Sequence, residues 1–249
     1  MGQESTPSFR RLIIRWFRRH GRALPWRDTR DPYRILVSEF MLQQTQVSRV
    51  EGYYTQFLQQ YPTIRDLAAA TSRQVRESWD GLGYYRRATN LHRLAGDVVA
   101  EHNGVVPEDV DVLRRLPGVG PYTAGAVATF AYEQAEPAID TNVNRVLRRA
   151  FYPRATSSAR DQRKLRALAK GLLPRSGPAA WALNQGLMEL GALVCTARVA
   201  RCGECPVRRV CKTGRRKQAT GTSQQATGRH RAGGQSRAPG SGAAQSPVT

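Results

Sequence analysis

Apolar residues recur at helical spacing through most of the chain. Residues 8–20 carry one apolar stripe, formed by Phe9, Leu12, Ile13 and Phe17. Helical patterns joined by short turns continue from Tyr33 to about Leu147, and they resume at residues 159–173 and 178–194. No convincing two-residue alternation, strand hairpin or internal repeat interrupts them. The pattern therefore predicts an all-α fold.

Prolines, glycines and asparagine divide these segments. Pro25 and Pro32 mark the stretch "LPWRDTRDPY" as a loop, and further turns are expected at Asn103–Gly104 and at Pro117–Gly120. Beyond Cys211 the chain is rich in Gly, Ser, Gln, Ala, Thr and Arg and has no apolar periodicity. We therefore expect residues 212–249 to be a disordered basic tail.

The stretch "SEFMLQQTQV" breaks the apolar pattern with polar side chains. In one continuous helix Glu39 lies at the edge of the apolar face and Gln43 near its middle. Polar groups there cost stability unless they are paired, so they either have structural partners or face something other than protein. Burial raises the pKa of a carboxyl group, which would suit Glu39 as a proton donor. The apolar face itself consists of Leu36, Phe40, Val47, Val50, Tyr54 and Leu58.

The net positive charge of the chain indicates what kind of molecule it binds. The chain has 249 residues, 40% of them apolar, and a formal net charge of +20. The tail contributes seven basic residues and no acid, which leaves 32 − 19 = +13 on residues 1–211. A basic surface of this kind suits nucleic acid first and an anionic membrane second. No run approaches the roughly 18 apolar residues of a spanning helix, so we expect a cytoplasmic, nucleoid-associated protein with no membrane partner.

All four cysteines lie close together, spaced C-x6-C-x2-C-x5-C. Disulfides require an oxidising compartment, to which nothing in this sequence directs the chain, so a metal site is the better interpretation. Zinc sites usually present two close pairs, whereas only one pair is present here, and the spacing favours an iron–sulfur cluster. Such a cluster would fix the loop that carries Arg198 and Arg201; positioning and redox roles both remain open. The four candidate ligands are Cys195, Cys202, Cys205 and Cys211.

The segment "LPGVGPYTAGAV" predicts a helix–hairpin–helix contact to a DNA backbone. Pro121 occupies the favoured first position of the second helix. Gly118 and Gly120 allow backbone amides to approach a phosphate, and the helix N-terminus adds partial positive charge. An ordinary tight corner between two helices would use the same residue types. On a basic domain the DNA interpretation is favoured, and such contacts position without reading sequence.

A second carboxylate, Asp140, lies in "AIDTNVNRVL" between an apolar run and a predicted helix. An aspartate at a helix start is usually an N-cap. Together with Glu39, however, it resembles the paired carboxylates that cleave glycosidic bonds, where one acid protonates the leaving group and one anion stabilises an oxocarbenium-like state. Both interpretations remain open from the sequence.

Several motifs together resemble the helix–hairpin–helix DNA glycosylases that carry a 4Fe–4S cluster, in particular their MutY-type adenine-specific branch. The resemblance covers about residues 8–211. It implies a six-helix barrel module at residues 31–136, a cluster module at 1–30 and 137–211, and a monomer that binds double-stranded DNA containing a mismatched or oxidised base pair. The motifs, in order, are "LPWR", "SEFMLQQTQV", "GLGYYRRATNLH", "LPGVGPYTAGAV", "AIDTNVNRVL", "LNQGLMELGALVC" and the cysteine set.

The resemblance also implies a role for each site residue. Glu39 matches the acid that protonates the flipped adenine, and Asp140 matches the carboxylate that stabilises the sugar cation, with Asn142 nearby. Tyr122 occupies the position at which bifunctional relatives carry a lysine, so the resemblance implies a monofunctional enzyme without a Schiff-base step. Gln44 and Tyr84 match residues inserted into the stack around the lesion pair, with Thr45 and Leu82 close by. Gln43 is a further candidate for contact with substrate or DNA. The residues that match the lining of the adenine pocket are Trp26, Arg27 and Gln185.

Two features depart from the family pattern. Thr141 follows Asp140 where the family commonly has glycine, and we expect it to be tolerated if the backbone there is not left-handed. The Nudix-like domain that usually follows the cluster, and that recognises 8-oxoguanine, has no counterpart in the last 38 residues. We therefore expect recognition of the oxidised base to be weaker or to lie within the catalytic domain.

The sequence leaves three functions open. The first is removal of adenine opposite 8-oxoguanine or guanine, and the second is removal of thymine or uracil opposite guanine by an enzyme of the same fold. An acid at Glu39 favours adenine, because a purine nitrogen needs protonation whereas thymine leaves as an anion. The third is a non-catalytic DNA-binding protein that uses the cluster as a redox sensor.

Overall fold

A computed structural model describes residues 5–216, and these residues form an all-helical fold, as predicted. Their only β feature is one isolated bridge between Cys195 and Ala200. No helix in the described part is long and apolar enough to cross a membrane. The expected disordered tail begins differently, because residues 212–216 are helical, and the rest of it lies outside the described residues. The helices are α1 (Ser5–His20), α2 (Pro32–Leu42), α3 (Val47–Gln60), α4 (Ile64–Ala69), α5 (Ser72–Glu77), α6 (Arg86–His102), α7 (Val110–Leu113), α8 (Pro121–Phe130), α9 (Thr141–Phe151), α10 (Ala159–Leu172) and α11 (Gly177–Leu193).

Two hydrophobic cores organise these helices. The first is built from residues 24–138 and is centred on large side chains such as Trp79 and Phe57, which pack edge to face. The second joins Phe9 and other residues of α1 to residues 143–211. Helix α11 packs against α1, α8 and α9, and its Met188 contacts both cores. Helix α11 therefore lies between the two cores and contacts both.

Local chemistry explains where the key helices begin. Asp31 caps α2 by accepting a hydrogen bond from the Tyr33 amide, and Pro32 takes the first helical position. Helix α8 likewise begins with Pro121, directly after the turn in which Gly118 adopts φ 78°. A side chain at Gly118 would also come within 2.8 Å of the Phe40 ring, so this turn requires glycine.

The apolar face predicted from Leu36 to Leu58 belongs to two helices, not to one continuous helix. Helix α2 ends at Leu42, Gln44 adopts a left-handed backbone with φ 57°, and α3 begins at Val47. The physical reason is tertiary, because the last carbonyl groups of α2 bind the side chain of Arg87 from α6. Consequently Gln43 and Gln44 lie in a turn.

Candidate active site

A cavity of about 900 Å³ lies where the two cores meet. Its walls come from α2, α8, α9 and α11, together with the segment that follows α1. Most of the side chains that the sequence singled out for catalysis and base recognition line this cavity. They are Trp26, Arg27, Glu39, Gln43, Gln44, Thr45, Tyr122, Asp140, Asn142 and Gln185.

Glu39 enters the cavity from α2 with only 5% of its surface exposed. Its Oε2 atom is buried without a hydrogen-bond partner, and no cation pairs with it among the described residues. Burial raises its pKa to about 7; a hydrogen bond with Tyr122 opposes this shift, and the charge of Asp140 adds to it. Glu39 is therefore a neutral or half-ionised acid near physiological pH.

Tyr122 is the second residue of α8 and lies beside Glu39. Burial is the main cause that raises the pKa of its phenol well above the usual range, and the neighbouring carboxyl groups add to the shift. The hydroxyl therefore stays protonated and acts as a hydrogen-bond donor to Glu39. A phenol, unlike a primary amine, cannot form a Schiff base.

Asp140 is the N-cap of α9, which is one of the two interpretations that the sequence left open. Its Oδ1 accepts a 2.6 Å hydrogen bond from the Val143 amide as the N-cap of α9, and its Oδ2 accepts a 2.7 Å bond from Asn142 Nδ2. Burial raises the pKa of Asp140, while these hydrogen bonds oppose the shift. The same carboxyl group lines the cavity. Thr141 is not among the residues with positive φ, which meets the stated condition for tolerating a side chain there.

Glu189 is the main cavity residue that the sequence reasoning missed. It is 1% exposed, and it binds Arg22 Nε at 2.7 Å and Arg27 Nη2 at 2.8 Å. Hydrogen bonds and charge from these arginines outweigh burial and lower its pKa to about 2. Glu189 follows Gln185 by four residues on α11, so helical spacing alone places both on one face.

Arg27 links this carboxylate to Gln185. Its Nε donates to Gln185 Oε1 at 2.8 Å, while its Nη2 binds Glu189. Because a guanidinium can only donate, the oxygen of the Gln185 amide must face Arg27. The NH₂ group of Gln185 is then left as a donor beside the cavity.

The predicted DNA-contacting residues divide into three groups. Gln44 and Tyr84 are exposed and have φ of 57° and 48°, although only Gln44 lines the cavity. Leu82, by contrast, is 5% exposed and packs in the first core. Gly118 and Gly120 lie in the turn before α8, outside the cavity lining.

The four cysteines surround one small cavity beyond α11. They are free thiols, and no group of three or more His, Cys, Asp or Glu side chains in residues 5–216 is arranged to hold a single metal ion. Arg149 Nη1 and the Gly214 amide each donate to a cysteine sulfur at 3.4 Å, to Cys195 and Cys211 respectively. Hydrogen-bond donors that point at cysteine sulfurs are typical of sites where thiolates bind a metal or an iron–sulfur cluster. Arg198 and Arg201 are exposed on the loop between the first two cysteines.

Comparisons with known proteins give this geometry a family context. The sequence model of the "HhH-GPD superfamily base excision DNA repair protein" matches residues 37–174. The chain is 46% identical over 196 residues to an adenine DNA glycosylase from Mycobacterium tuberculosis, a match covering 78% of this chain and 64% of the relative. It is 42% identical over 219 residues to the human adenine DNA glycosylase, covering 84% and 40%. The chain thus spans less than two thirds of these relatives.

Solved structures show the same fold. A thermostable thymine-DNA glycosylase has a TM-score of 0.79 and 29% identity, and the match covers 86% of this chain and 98% of that one. A non-covalent endonuclease III–DNA complex has a TM-score of 0.74 at 23% identity, covering 88% and 99%. Helices α7 and α8 and the turn between them lie within the matched family region.

Proposed function

The chain belongs to the HhH-GPD superfamily of base excision DNA repair proteins, which confirms the resemblance carried by its motifs, and from this premise we propose that it is a monofunctional adenine DNA glycosylase. Its substrate is adenine paired with 8-oxoguanine or guanine in double-stranded DNA. The observation that carries the proposal is the buried carboxyl group of Glu39, which has no cationic partner among the described residues and a pKa of about 7, in the same cavity as Asp140.

The two carboxyl groups divide the chemistry between them. Protonated Glu39 donates its proton to a ring nitrogen of the extruded adenine, and the glycosidic electron pair leaves with the base. Asp140, anchored by its two hydrogen bonds, stabilises the positive charge that develops on the sugar. Water then adds to the sugar carbon, and its proton passes to the Glu39 carboxylate.

The cavity must receive a base that has left the duplex, because the glycosidic atoms are inaccessible inside the stack. Gln44 and Tyr84 fill the resulting gap as wedge residues, with Gln43, Thr45 and Leu82 supporting them. Trp26, Arg27 and Gln185 form the pocket wall, and the Gln185 NH₂ group offers a donor to a purine nitrogen. Gly118 and Gly120 bind a DNA phosphate at the start of α8.

The remaining parts of the proposal concern assembly. A monomer binds DNA between a barrel module at residues 31–136 and a cluster module at 1–30 and 137–211, at the nucleoid. Cys195, Cys202, Cys205 and Cys211 hold a 4Fe–4S cluster that fixes the Arg198–Arg201 loop against DNA. Equal amounts of iron and acid-labile sulfide in the purified protein, lost together in Cys202→Ala, would test this ligand set.

A second candidate, removal of thymine or uracil opposite guanine, is favoured by the 29% identity to the thymine-DNA glycosylase. The unpaired acid at Glu39 argues for adenine, because a departing thymine anion has less need of a proton.

Single-turnover excision on duplexes containing A·8-oxoG, A·G, T·G and U·G separates the two candidates. We expect release of adenine only, and no release by the Glu39→Gln variant. Release of thymine or uracil without adenine would overturn the proposal in favour of the second candidate. No base release by the wild-type chain, with DNA binding unaffected by Glu39→Gln, would instead favour a non-catalytic DNA-binding role.

A further inference from the structure

Two exposed residues, Gln44 at the cavity and Tyr84 outside its lining, adopt left-handed backbone conformations that side chains rarely occupy. They come from separate segments, the turn after α2 and the loop before α6. Such conformations persist only where the surrounding structure imposes them. One buried side chain binds the backbone directly before both residues.

Arg87 joins the two segments through its guanidinium group. Its Nη1 donates to the carbonyl oxygens of Phe40 at 3.1 Å, Met41 at 2.7 Å and Gln43. Its Nη2 donates to the carbonyl oxygens of Leu82 at 3.2 Å and Gly83 at 3.0 Å. One side chain thus binds the residue before Gln44 and the two residues before Tyr84.

The position of Arg87 in its own helix is locally unfavourable. It lies in the first turn of α6, where a positive charge opposes the helix dipole. It is 6% exposed, forms no ion pair among the described residues, and leaves its buried Nε without a partner. Its guanidinium carbon also lies 5.4 Å from the centre of the Tyr84 ring. Burying a positive charge at a helix N-terminus without an ion pair costs stability. We therefore attribute the presence of arginine at this position to its hydrogen bonds with the two segments.

We infer that Arg87 is a positioning residue, which holds Gln44 and Tyr84 in one fixed arrangement so that both can enter the DNA stack together. The inference rests on the proposed function for its substrate. Lysine cannot replace arginine in this role, because a compact ammonium has three donors and cannot span the two segments as the planar fork does. Arg86, its exposed neighbour in the same turn of α6, provides a matched control.

The direct test measures base extrusion without cleavage. In a Glu39→Gln background, 2-aminopurine replaces the adenine opposite 8-oxoguanine, and its fluorescence rises when the base leaves the stack. At saturating protein we expect Arg87→Lys to lose most of this rise and Arg86→Lys to keep it. Full retention of the rise in Arg87→Lys would overturn the inference.

Single-turnover excision supplies a second readout with Glu39 intact. We expect Arg87→Lys to slow excision from A·8-oxoG about a hundredfold, as for misplaced reacting groups. The loss should be smaller for adenine opposite an abasic site, because an unpaired base costs less to extrude. Equal losses on both duplexes would place Arg87 in the chemistry or in general folding and contradict the inference.

Measurements of folding distinguish a positioning role of Arg87 from a role in stability alone. Arg49 on α3 also binds the carbonyl group of Gly81, so the loop keeps one anchor when Arg87 is changed. We expect Arg87→Lys to unfold cooperatively; failure to fold would assign Arg87 to stability alone and overturn the inference. If the wild-type chain excises no base but the fluorescence rise still depends on Arg87, the proposed activity fails while the positioning role stands.

Discussion

Two of the cavity walls, those formed by α2 and α11, each present a buried glutamate, and the two glutamates are in opposite electrostatic states. On the α2 wall, Glu39 has one partner, Tyr122, and a pKa raised to about 7 by burial. On the α11 wall, Glu189 is even less exposed, yet Arg22 and Arg27 lower its pKa to about 2. Burial is therefore common to both side chains, and the presence of cations decides which of them can hold a proton.

This contrast indicates a division between chemistry and binding. A carboxyl group that titrates near neutral pH can deliver a proton, whereas one that is permanently ionised can only hold its partners in place. Glu189 fixes Arg27, and Arg27 fixes the amide of Gln185. The α2 wall thus supplies the acid, and the α11 wall supplies an ordered binding surface.

The largest expected effect comes from Glu39→Gln. We expect single-turnover excision of adenine to fall by at least about 10³-fold, because the proton donor is lost while the shape of the side chain is kept. DNA affinity, measured by equilibrium binding to an A·8-oxoG duplex, should stay within a few-fold of wild type. Loss of binding in proportion to activity would show that Glu39 is structural.

The pH dependence of the excision rate of the wild-type chain should reveal the protonation state of Glu39. Because Glu39 must be protonated to act and its pKa is about 7, the rate should fall as pH rises above 7. Glu101→Gln, an exposed glutamate on α6, is a matched control and should keep the wild-type profile. A rate that increases with pH through this range would contradict the assignment.

Glu189→Gln should instead act on stability. It leaves the Arg27 side chain, which is 8% exposed, without its anionic partner, and we expect a loss of about 3 kcal/mol in the free energy of unfolding. Urea denaturation at pH 8 would measure it. A cost no larger than that of Glu101→Gln would remove the distinction between the two walls.

The sequence could predict the α2 wall because its signal is local. Glu39 and the glutamines stand out against apolar neighbours within ten residues, and helical spacing shows that they interrupt a core. The end of α2 at Leu42 was not predictable in this way. The sequence "QQTQ" contains no glycine or proline, and the helix stops there because Arg87, more than forty residues later, binds its last carbonyl groups.

The α11 wall was harder to predict because its defining contacts are remote in sequence. Glu189 has the right helical spacing from Gln185, but its charge state depends on Arg22 and Arg27, which lie 167 and 162 residues away. Glu189 is the only charged residue of the apolar helix α11, so the sequence could have indicated its burial, but nothing local identifies its cationic partners. Ion pairs of this range emerge only once α1 and α11 are packed together.

The pH dependence of stability should have opposite signs at the two glutamates. The folded state keeps a proton on Glu39 that the unfolded chain loses between pH 4.5 and 7. This residue therefore costs stability as pH rises through that window, by about 3 kcal/mol. Glu189 contributes stability above pH 4.5 that is lost as pH falls towards 2.

Comparing each Gln variant with wild type across pH isolates these contributions. We expect Glu39→Gln to be more stable than wild type at pH 8 and to lose that advantage near pH 4.5. The deficit of Glu189→Gln should be full at pH 8 and should shrink below pH 4.5. Parallel pH curves for the two variants would refute the contrast.

The smallest effect is expected from Arg22→Gln. Arg22 and Arg27 both bind Glu189, but the Arg22 side chain is 37% exposed, so its ion pair is partly screened by solvent. The Arg22 backbone amide also donates to Glu189 Oε1 at 3.0 Å, and that bond survives the substitution. We therefore expect a loss of less than about 1 kcal/mol in urea denaturation at pH 8, well below that of Glu189→Gln. If Arg22→Gln lowered the free energy of unfolding as much as Glu189→Gln does, Glu189 would depend on Arg22 as strongly as on Arg27. The fixed arrangement of the α11 wall could then not be assigned to Arg27.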